Sequence, residues 1–98
     1  MTKYKIPIDQ LPNQSFEIEL NDKRCRFEFI TRGFSLYMNL SIDDVEKVNG
    51  IICLNNENLI LYPEIGLEGK VYFTDTQGNL DPLFYGLNDR WLLVYEEE

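Results

Sequence analysis

The chain has no histidine and only two cysteines among its 98 residues. Without histidine it lacks the commonest general base, the commonest metal ligand and the usual partner of a serine or cysteine nucleophile. The spacing of Cys25 and Cys53 fits no zinc-binding pattern, and we interpret both residues as small members of a hydrophobic core. These shortages argue against an enzyme, and they lead us to expect no metal ion and no other cofactor.

Positive charge is scarce as well, because nine lysines and arginines stand against seventeen acidic residues, giving a net charge of −8. No stripe of basic residues is available to displace counterions from phosphate groups, so we expect binding neither to nucleic acid nor to an anionic membrane surface. No apolar run approaches the roughly eighteen residues that cross a bilayer, and none resembles a signal peptide. We therefore expect the protein to be made in the cytosol and kept there unless it travels as part of something larger.

The residues that are present are enough for one folded domain. Hydrophobic residues make up 44% of the chain and aromatic residues 13%, and no repeat or linker divides the sequence. We interpret residues 1–98 as a single domain, in which 96–98 form an acidic tail.

Apolar and polar residues alternate along 16–20, 25–29 and 34–42, the period of half-buried β-strands. Two-residue loops at 22–23 and 32–33 keep the apolar set on one face and place Leu20 opposite Cys25. The residues expected on the buried face are Phe16, Ile18, Leu20, Cys25, Phe27, Phe29, Phe34, Leu36, Met38, Leu40 and Ile42.

The second half of the chain is less regular. Four short apolar segments, at 50–55, 59–62, 70–74 and 90–95, are interpreted as further strands. The segment 41–48 has the spacing of a helix cap and is compatible with one helical turn or with a loop. The sequence therefore predicts an all-β domain of about seven short, mostly antiparallel strands, arranged as a small barrel or a sandwich.

The acidic stretch "DTQGNLDPLFYGLNDR" raises two chemical alternatives. Its carboxylates could form the pair used in glycoside hydrolysis, but so short a chain offers little wall for a sugar-binding cleft. A calcium loop needs glycine at its sixth position and a distal glutamate, whereas Gly78 is at the fourth position when Asp75 is counted as the first. We therefore predict neither a catalytic nor a metal site here.

A series of rigid turns explains the stretch better. Gly78 can adopt a positive φ angle, and the planar guanidinium of Arg90 can bind Asp75 or Asp81 within the fold. The predicted structural corners are Pro12, Asn13, Asp75, Gly78, Asp81, Pro82, Gly86 and Arg90.

Three parts of the sequence together carry a resemblance to a known family: "IPI…LPNQSFEIEL", "NGIICLNN…L" and "VYFTDTQGNLDPLFYGLNDRWLLVY". The most specific elements are "PNQ" at 12–14, "DT" at 75–76, "DP" at 81–82, "YGL" at 85–87 and Arg90 before the last apolar segment. In this order and spacing they resemble the small baseplate plug proteins of contractile-tailed phages, from about residue 4 to residue 95.

The resemblance implies a non-enzymatic structural subunit of the virion. It would bind the central hub of the tail baseplate near the tail tube, in several copies and beside other tail proteins. Such a role would make Tyr37, Phe84 and Tyr85 candidate interface residues, because rigid amphipathic aromatics anchor many interfaces. For Phe84 and Tyr85, packing in the core remains the alternative.

Two other functions remain open at this point. The net charge suggests an acidic inhibitor that mimics nucleic acid and blocks a host protein, although arginines are interleaved with the acids of the first strands. Trp91 and Tyr85 suggest a small carbohydrate-binding module.

Overall fold

The computed structural model describes residues 2–97 and contains seven strands and two 3₁₀ turns. The strands are β1 (Thr2–Ile6), β2 (Asn13–Leu20), β3 (Lys23–Arg32), β4 (Ser35–Ile42), β5 (Val45–Ile52), β6 (Lys70–Asp75) and β7 (Trp91–Glu97). The 3₁₀ turns are Pro63–Ile65 and Phe84–Gly86. The predicted all-β class is confirmed, and two antiparallel sheets form a sandwich rather than a closed barrel. Within residues 2–97 no helix has the length and apolar character required to cross a membrane.

The larger sheet is a four-stranded meander in the order β2-β3-β4-β5, joined by three tight hairpins. In the first turn Asn21 and Asp22 both have positive φ angles, of 51° and 61°, and in the third Asp43 and Asp44 have 50° and 68°. Asparagine and aspartate tolerate this left-handed conformation better than other non-glycine residues. In the middle turn Gly33 adopts the left-handed conformation, with a φ angle of 62°. The turn residues thus fix where each strand reverses.

The predicted faces of β2 and β3 are correct, but the predicted register is wrong by two residues. Ile18, not Leu20, lies opposite Cys25, because the first loop is 21–22 rather than 22–23. The second loop is shifted in the opposite direction, one position later than predicted, and lies at 33–34. A shift of two residues leaves every side chain on its own face, so alternation alone cannot detect it.

Phe34 is the one apolar residue of the predicted core face that lies outside it. It occupies the tip of the β3–β4 hairpin and is 93% exposed. The later position of the loop is the cause, because a residue in the turn no longer follows the alternation of the strand.

Two segment assignments in the middle of the chain are corrected. The helical turn considered for 41–48 does not form, because Asp43 and Asp44 make a hairpin and β5 begins at Val45. The segment 59–62 is not a strand, although the Leu59 N–H donates to the Val71 carbonyl oxygen at 2.7 Å. The structure has seven strands, the number predicted, because β1 was not predicted and the predicted strand at 59–62 is absent.

The smaller sheet has the order β1-β7-β6, so the last strand is central. Tyr4 lies opposite Tyr95, and their rings stack at 6.2 Å between centroids. Glu96 and Glu97, expected in an acidic tail, continue β7 and pair with β1, and Glu98 lies outside the described residues. Trp91, Leu93, Val94 and Tyr95 are buried although they point to both faces of the strand, and this explains why the segment "WLLVY" is apolar throughout.

The core lies between the two sheets and is rich in aromatic side chains. Phe27 and Phe29 stack on one sheet with ring centroids 6.0 Å apart. Phe73 of the other sheet meets Phe29 edge-on at 5.5 Å. Such edge contacts stabilise aromatic pairs beyond the burial of their surface, and this one joins the two sheets.

The two cysteines are part of this core, with exposed fractions of 0% for Cys25 and 2% for Cys53. Burial raises the pKa of the Cys25 thiol to about 11, and it raises the pKa of Cys53 as well. At pH 8 roughly one molecule in a thousand would then carry a Cys25 thiolate. We expect neither cysteine to react with a thiol reagent such as 5,5′-dithiobis(2-nitrobenzoic acid) in the native protein, and both to react in guanidinium chloride. Rapid labelling of the native protein would contradict this burial.

Candidate interaction surfaces

The carboxylate of Asp75, at the end of β6, is the centre of the loop that leads to β7. Arg90 binds it with two parallel hydrogen bonds, Nε to Oδ1 and Nη2 to Oδ2, both 2.8 Å long. The N–H groups of Gln77 and Leu80 donate to the same two oxygens at 2.9 and 3.0 Å. The side chain of Asp75 is 0% exposed, and that of Arg90 is 27% exposed. Chiefly through the bonds from Arg90, and against the opposing effect of burial, this arrangement holds the pKa of Asp75 well below its usual range.

The start of β7 is tied to the same loop by several further contacts. The Arg90 guanidinium lies 4.6 Å from the centre of the Trp91 ring. The indole N–H of Trp91 donates to the Leu80 carbonyl oxygen at 3.0 Å. Thr76 donates to the Arg90 carbonyl oxygen from both its N–H and its hydroxyl. Residues 76–90 are therefore folded back onto the sheet rather than free in solvent.

A close contact requires glycine at Gly86, and neither Gly78 nor Gly86 has a positive φ angle. The prediction of a positive φ angle at Gly78 is wrong, and its place is close to the Arg90 guanidinium, 3.3 Å from where a Cβ would stand. At Gly86 a Cβ would overlap the indole ring of Trp91. The left-handed position is taken instead by Asn88, whose φ angle is 62°. The Arg90 guanidinium therefore restricts the space for a side chain at Gly78, and the Trp91 ring excludes one at Gly86.

Asp81 is held by a residue that the sequence did not single out. Its Oδ1 accepts a 2.9 Å hydrogen bond from the N–H of Asn55, and the Asn55 side chain accepts one of 2.9 Å from the N–H of Asp75. Asn55 thus links the two predicted corners, while the next residue, Pro82, is buried. An asparagine in a polar turn carries no signal of such a distant partner. Within residues 2–97 there is no group of three or more acidic or cysteine side chains placed to hold a metal ion.

The other predicted corner lies before β2. The carbonyl oxygen of Pro12 accepts a 2.9 Å hydrogen bond from the Thr31 N–H, and the side chain of Asn13 accepts a 3.2 Å bond from the same group. The Gln14 side chain bonds both the N–H and the carbonyl oxygen of Asp9. This corner fastens the connection between the two sheets to the end of β3.

Two of the three candidate interface residues lie at one end of the sandwich, beside the exposed Phe34. Tyr85 is 62% exposed, whereas Phe84 is half-buried and packs against the core. Their rings meet edge-on at 5.9 Å. We call Phe34, Leu83, Phe84 and Tyr85 the aromatic end. These residues line a groove of about 320 Å³ between the β3–β4 hairpin and the 3₁₀ turn.

The third candidate, Tyr37, lies on the outer face of the four-stranded sheet and is partly exposed. Its neighbours across the sheet are Ile30 on β3 and Ile52 on β5, and Ile52 is 38% exposed. We call these three residues the tyrosine row. The outer face of the sheet thus carries an apolar strip where the alternation predicts polar residues.

We expect Asp75→Asn to lower the melting temperature of the protein by roughly 5–10 °C at pH 7. The amide would lose the charge that faces Arg90 and would present an NH₂ group to donors that need an acceptor. Circular dichroism during heating measures this change. The control is Asp89→Asn, an exposed acid of the same loop, which we expect to melt within about 2 °C of the wild type.

The same pair predicts a pH dependence. Because the pKa of Asp75 is lower in the folded state, its stabilisation is complete above the unfolded value of about 3.9 and is lost as pH falls toward the folded value. The difference in melting temperature between wild type and Asp75→Asn should therefore be constant from pH 5 to pH 7 and shrink below about pH 4. A difference that grows as pH falls would contradict the assignment.

Gly86→Ala should lower the free energy of unfolding by about 1–3 kcal/mol, because the new methyl group would displace the buried indole of Trp91. Urea unfolding followed by tryptophan fluorescence reports both the stability and the position of that ring. The comparison variant is Gly33→Ala, where a Cβ meets open space and only the φ angle is strained. Its fluorescence spectrum should match that of the wild type, so a spectral change in both variants would contradict the proposed contact.

A search of curated proteins finds no match to the chain. A family model described as "Cyanophage baseplate Pam3 plug gp18" matches residues 3–98. The match covers nearly all of the sequence and confirms the resemblance seen in the order of its motifs. The protein therefore belongs to the family of cyanophage baseplate plugs.

Proposed function

We propose that the protein is a non-enzymatic structural subunit of a contractile phage tail, bound to the central hub of the baseplate near the tail tube. The family match over residues 3–98 is the observation that carries this proposal. Membership of the family supports a structural role in the tail baseplate and association with other baseplate proteins. The hub as the partner, the contractile tail and the presence of several copies are our extension.

The surface of the molecule supports a role in assembly. The aromatic end and the tyrosine row expose large apolar side chains in a chain of only 98 residues, among them Phe34 at 93% and Tyr85 at 62%. Contiguous exposed apolar groups on a small protein often mark places where other proteins bind. The loop that presents Tyr85 is fixed by the Asp75–Arg90 pair, so little conformational entropy would be lost on binding.

The two rival functions fit the structure less well. A carbohydrate-binding platform would need an open indole face, but Trp91 is only 1% exposed. An acidic mimic of nucleic acid would need an uninterrupted negative surface, but Arg24 lies between Glu17 and Asp44 and pairs with both. We therefore retain the structural role.

Mass spectrometry of purified phage particles tests the proposed role. We expect the protein in intact particles at a fixed ratio to the baseplate hub protein, and we expect the two to remain together when the baseplate is isolated. Particles that are complete and infectious without this protein would overturn the proposal.

In a binding assay with the purified hub protein, Tyr37→Ala should weaken binding by at least about tenfold, because it removes the largest side chain of the tyrosine row. The control is Lys47→Ala on the neighbouring strand β5, which is exposed and lies outside the row. Equal binding by wild type and Tyr37→Ala would remove Tyr37 from the interface.

A further inference from the structure

We infer that two copies of this chain associate through the outer edge of β2, so that their four-stranded sheets join into one continuous antiparallel sheet. The inference goes beyond the proposed function and concerns the purified protein in solution. It follows from the hydrogen-bonding groups along that edge, from the protection of the other three sheet edges, and from the side chains that a twofold axis would bring together.

The outer edge of β2 carries a row of backbone groups that the fold leaves without partners. The strand lies at the edge of the larger sheet and pairs with β3 in unbroken register along its whole length. The Thr31 N–H of β3 donates to the Pro12 carbonyl oxygen, and hydrogen-bonded pairs alternate along an antiparallel ladder. Within residues 2–97 no hydrogen bond is made to the groups that point away from β3. These are the N–H and C=O groups of Asn13, Ser15, Glu17 and Glu19.

The other three sheet edges are protected against pairing. Residues 55–59 cover β6, where the Leu59 N–H donates to the Val71 carbonyl oxygen at 2.7 Å. The pairing of β5 with β4 is irregular, and Gly50 within β5 has a φ angle of 73°. The strand β1 is short, contains two lysines and is followed by Pro7. Bulges, lysines, short strands and covering loops are the usual devices against edge pairing, and within residues 2–97 the outer edge of β2 has none of them.

The two acids of β2 are compensated within their own sheet. Glu17 lies opposite Arg26 on β3, and Glu19 lies opposite Arg24. The Nε of Arg24 also lies 3.9 Å from a carboxylate oxygen of Glu17. Charged side chains on an edge strand usually oppose pairing, but cross-strand partners of opposite sign reduce this effect. The acids therefore do not close the edge to a second strand.

A twofold axis beside Phe16 pairs two β2 strands without placing like charges opposite each other. Ser15 of one copy then faces Glu17 of the other, and Asn13 faces Glu19. An axis beside Glu17 would bring two glutamates face to face, and like charges directly opposite destabilise a strand pair. An axis beside Ser15 would leave the end of β2 without a partner on the other copy. The charge pattern of the strand thus selects the register with Phe16 at the axis.

The same axis brings the Phe16 side chains of the two copies together. Phe16 is only half-buried, and its ring centroid lies 5.7 Å from that of Phe27 and 6.1 Å from that of Phe29. In the non-hydrogen-bonded pairs of an antiparallel ladder the Cα atoms are about 4.5 Å apart, so the two Phe16 rings would cover each other. Association would thus continue the row of aromatic rings from one molecule into the next.

We expect the dimer to be weak and to become tighter as salt is added. A single strand edge buries less surface than a standard interface, and such contacts are typically transient. The net charge of −8 on each copy opposes association, and salt screens this repulsion. The dissociation constant should fall at least about threefold between about 50 and 500 mM sodium chloride. A dissociation constant that rises over this range would indicate an interface held by ion pairs and would overturn the inference.

Sedimentation of the purified protein at several concentrations tests the association. We expect a reversible equilibrium of monomer and dimer with a dissociation constant below about 1 mM. Ser15→Pro removes an outward N–H but no bond to β3, so it should raise this constant at least about tenfold. Ser15→Ala keeps the N–H and is the matched control. Wild-type protein that is still monomeric at about 1 mM, or equal association of the two variants, would overturn the inference.

A pair of cysteine variants tests the register, and it keeps the inference open to refutation if Ser15→Pro does not fold. Ser15→Cys and Glu17→Cys are mixed and oxidised with diamide, and the disulfides are identified by mass spectrometry. The native Cys25 and Cys53 are buried and should not take part. Residues opposite each other in a hydrogen-bonded pair have Cα atoms about 5.5 Å apart, a distance that a disulfide spans.

We expect the disulfide between the two different variants to form at least about fivefold faster than a disulfide within either variant alone. The control is Lys47→Cys on the protected strand β5, which should crosslink with itself no faster than the single variants. Faster crosslinking of Glu17→Cys with itself than with Ser15→Cys would overturn the inference. Equal rates for all combinations would do the same, because they would show random collision in place of a paired edge.

Discussion

The Asp75 carboxylate fixes the part of the molecule that the two sheets alone would leave free. Between β6 and β7 the chain makes a fifteen-residue excursion, from 76 to 90, with no strand of its own. Four donors converge on the two oxygens of Asp75, two of them from Arg90 and two from the backbone of the excursion itself. Because the carboxylate is buried and its donors come from both ends of the loop, the loop closes into a rigid body that carries Tyr85.

Much of the architecture could be predicted from the sequence, because alternation reports directly which face of a strand is buried. It reported the faces of β2 to β4 correctly. It could not report the register, since a shift of two residues leaves the pattern unchanged, and the choice fell to Asn21 and Asp22, which adopt the left-handed turn. It also missed β1, where Ile6 is the only buried residue among five. Edge strands with so little burial leave almost no periodic signal.

The residues of the candidate surfaces were likewise predictable from the sequence only in part. Asp75 and Arg90 were predictable as partners because a guanidinium and a carboxylate fit together wherever a tight corner brings them near. Asn55 was not, because its partners lie twenty or more residues away and asparagine is common in turns. The alternation assigns Phe34 to the core because it stands at the start of an alternating run, and only the hairpin geometry shows that the strand begins one residue later. The most exposed aromatic side chain was therefore hidden by the pattern that predicted its neighbours.

The pairing of β1 with β7 has a consequence for how the chain reaches its native state. Tyr4 can meet Tyr95 only after almost every intervening residue has been synthesised and positioned, whereas each hairpin of the meander forms between neighbours. Contacts between residues so distant along a chain form slowly, because a large loop must close before they contribute. The meander should therefore emerge first, and the smaller sheet should assemble on it late. Until then the apolar faces of Phe27 and Phe29 have no cover, and this interval is when newly made molecules are most prone to aggregate.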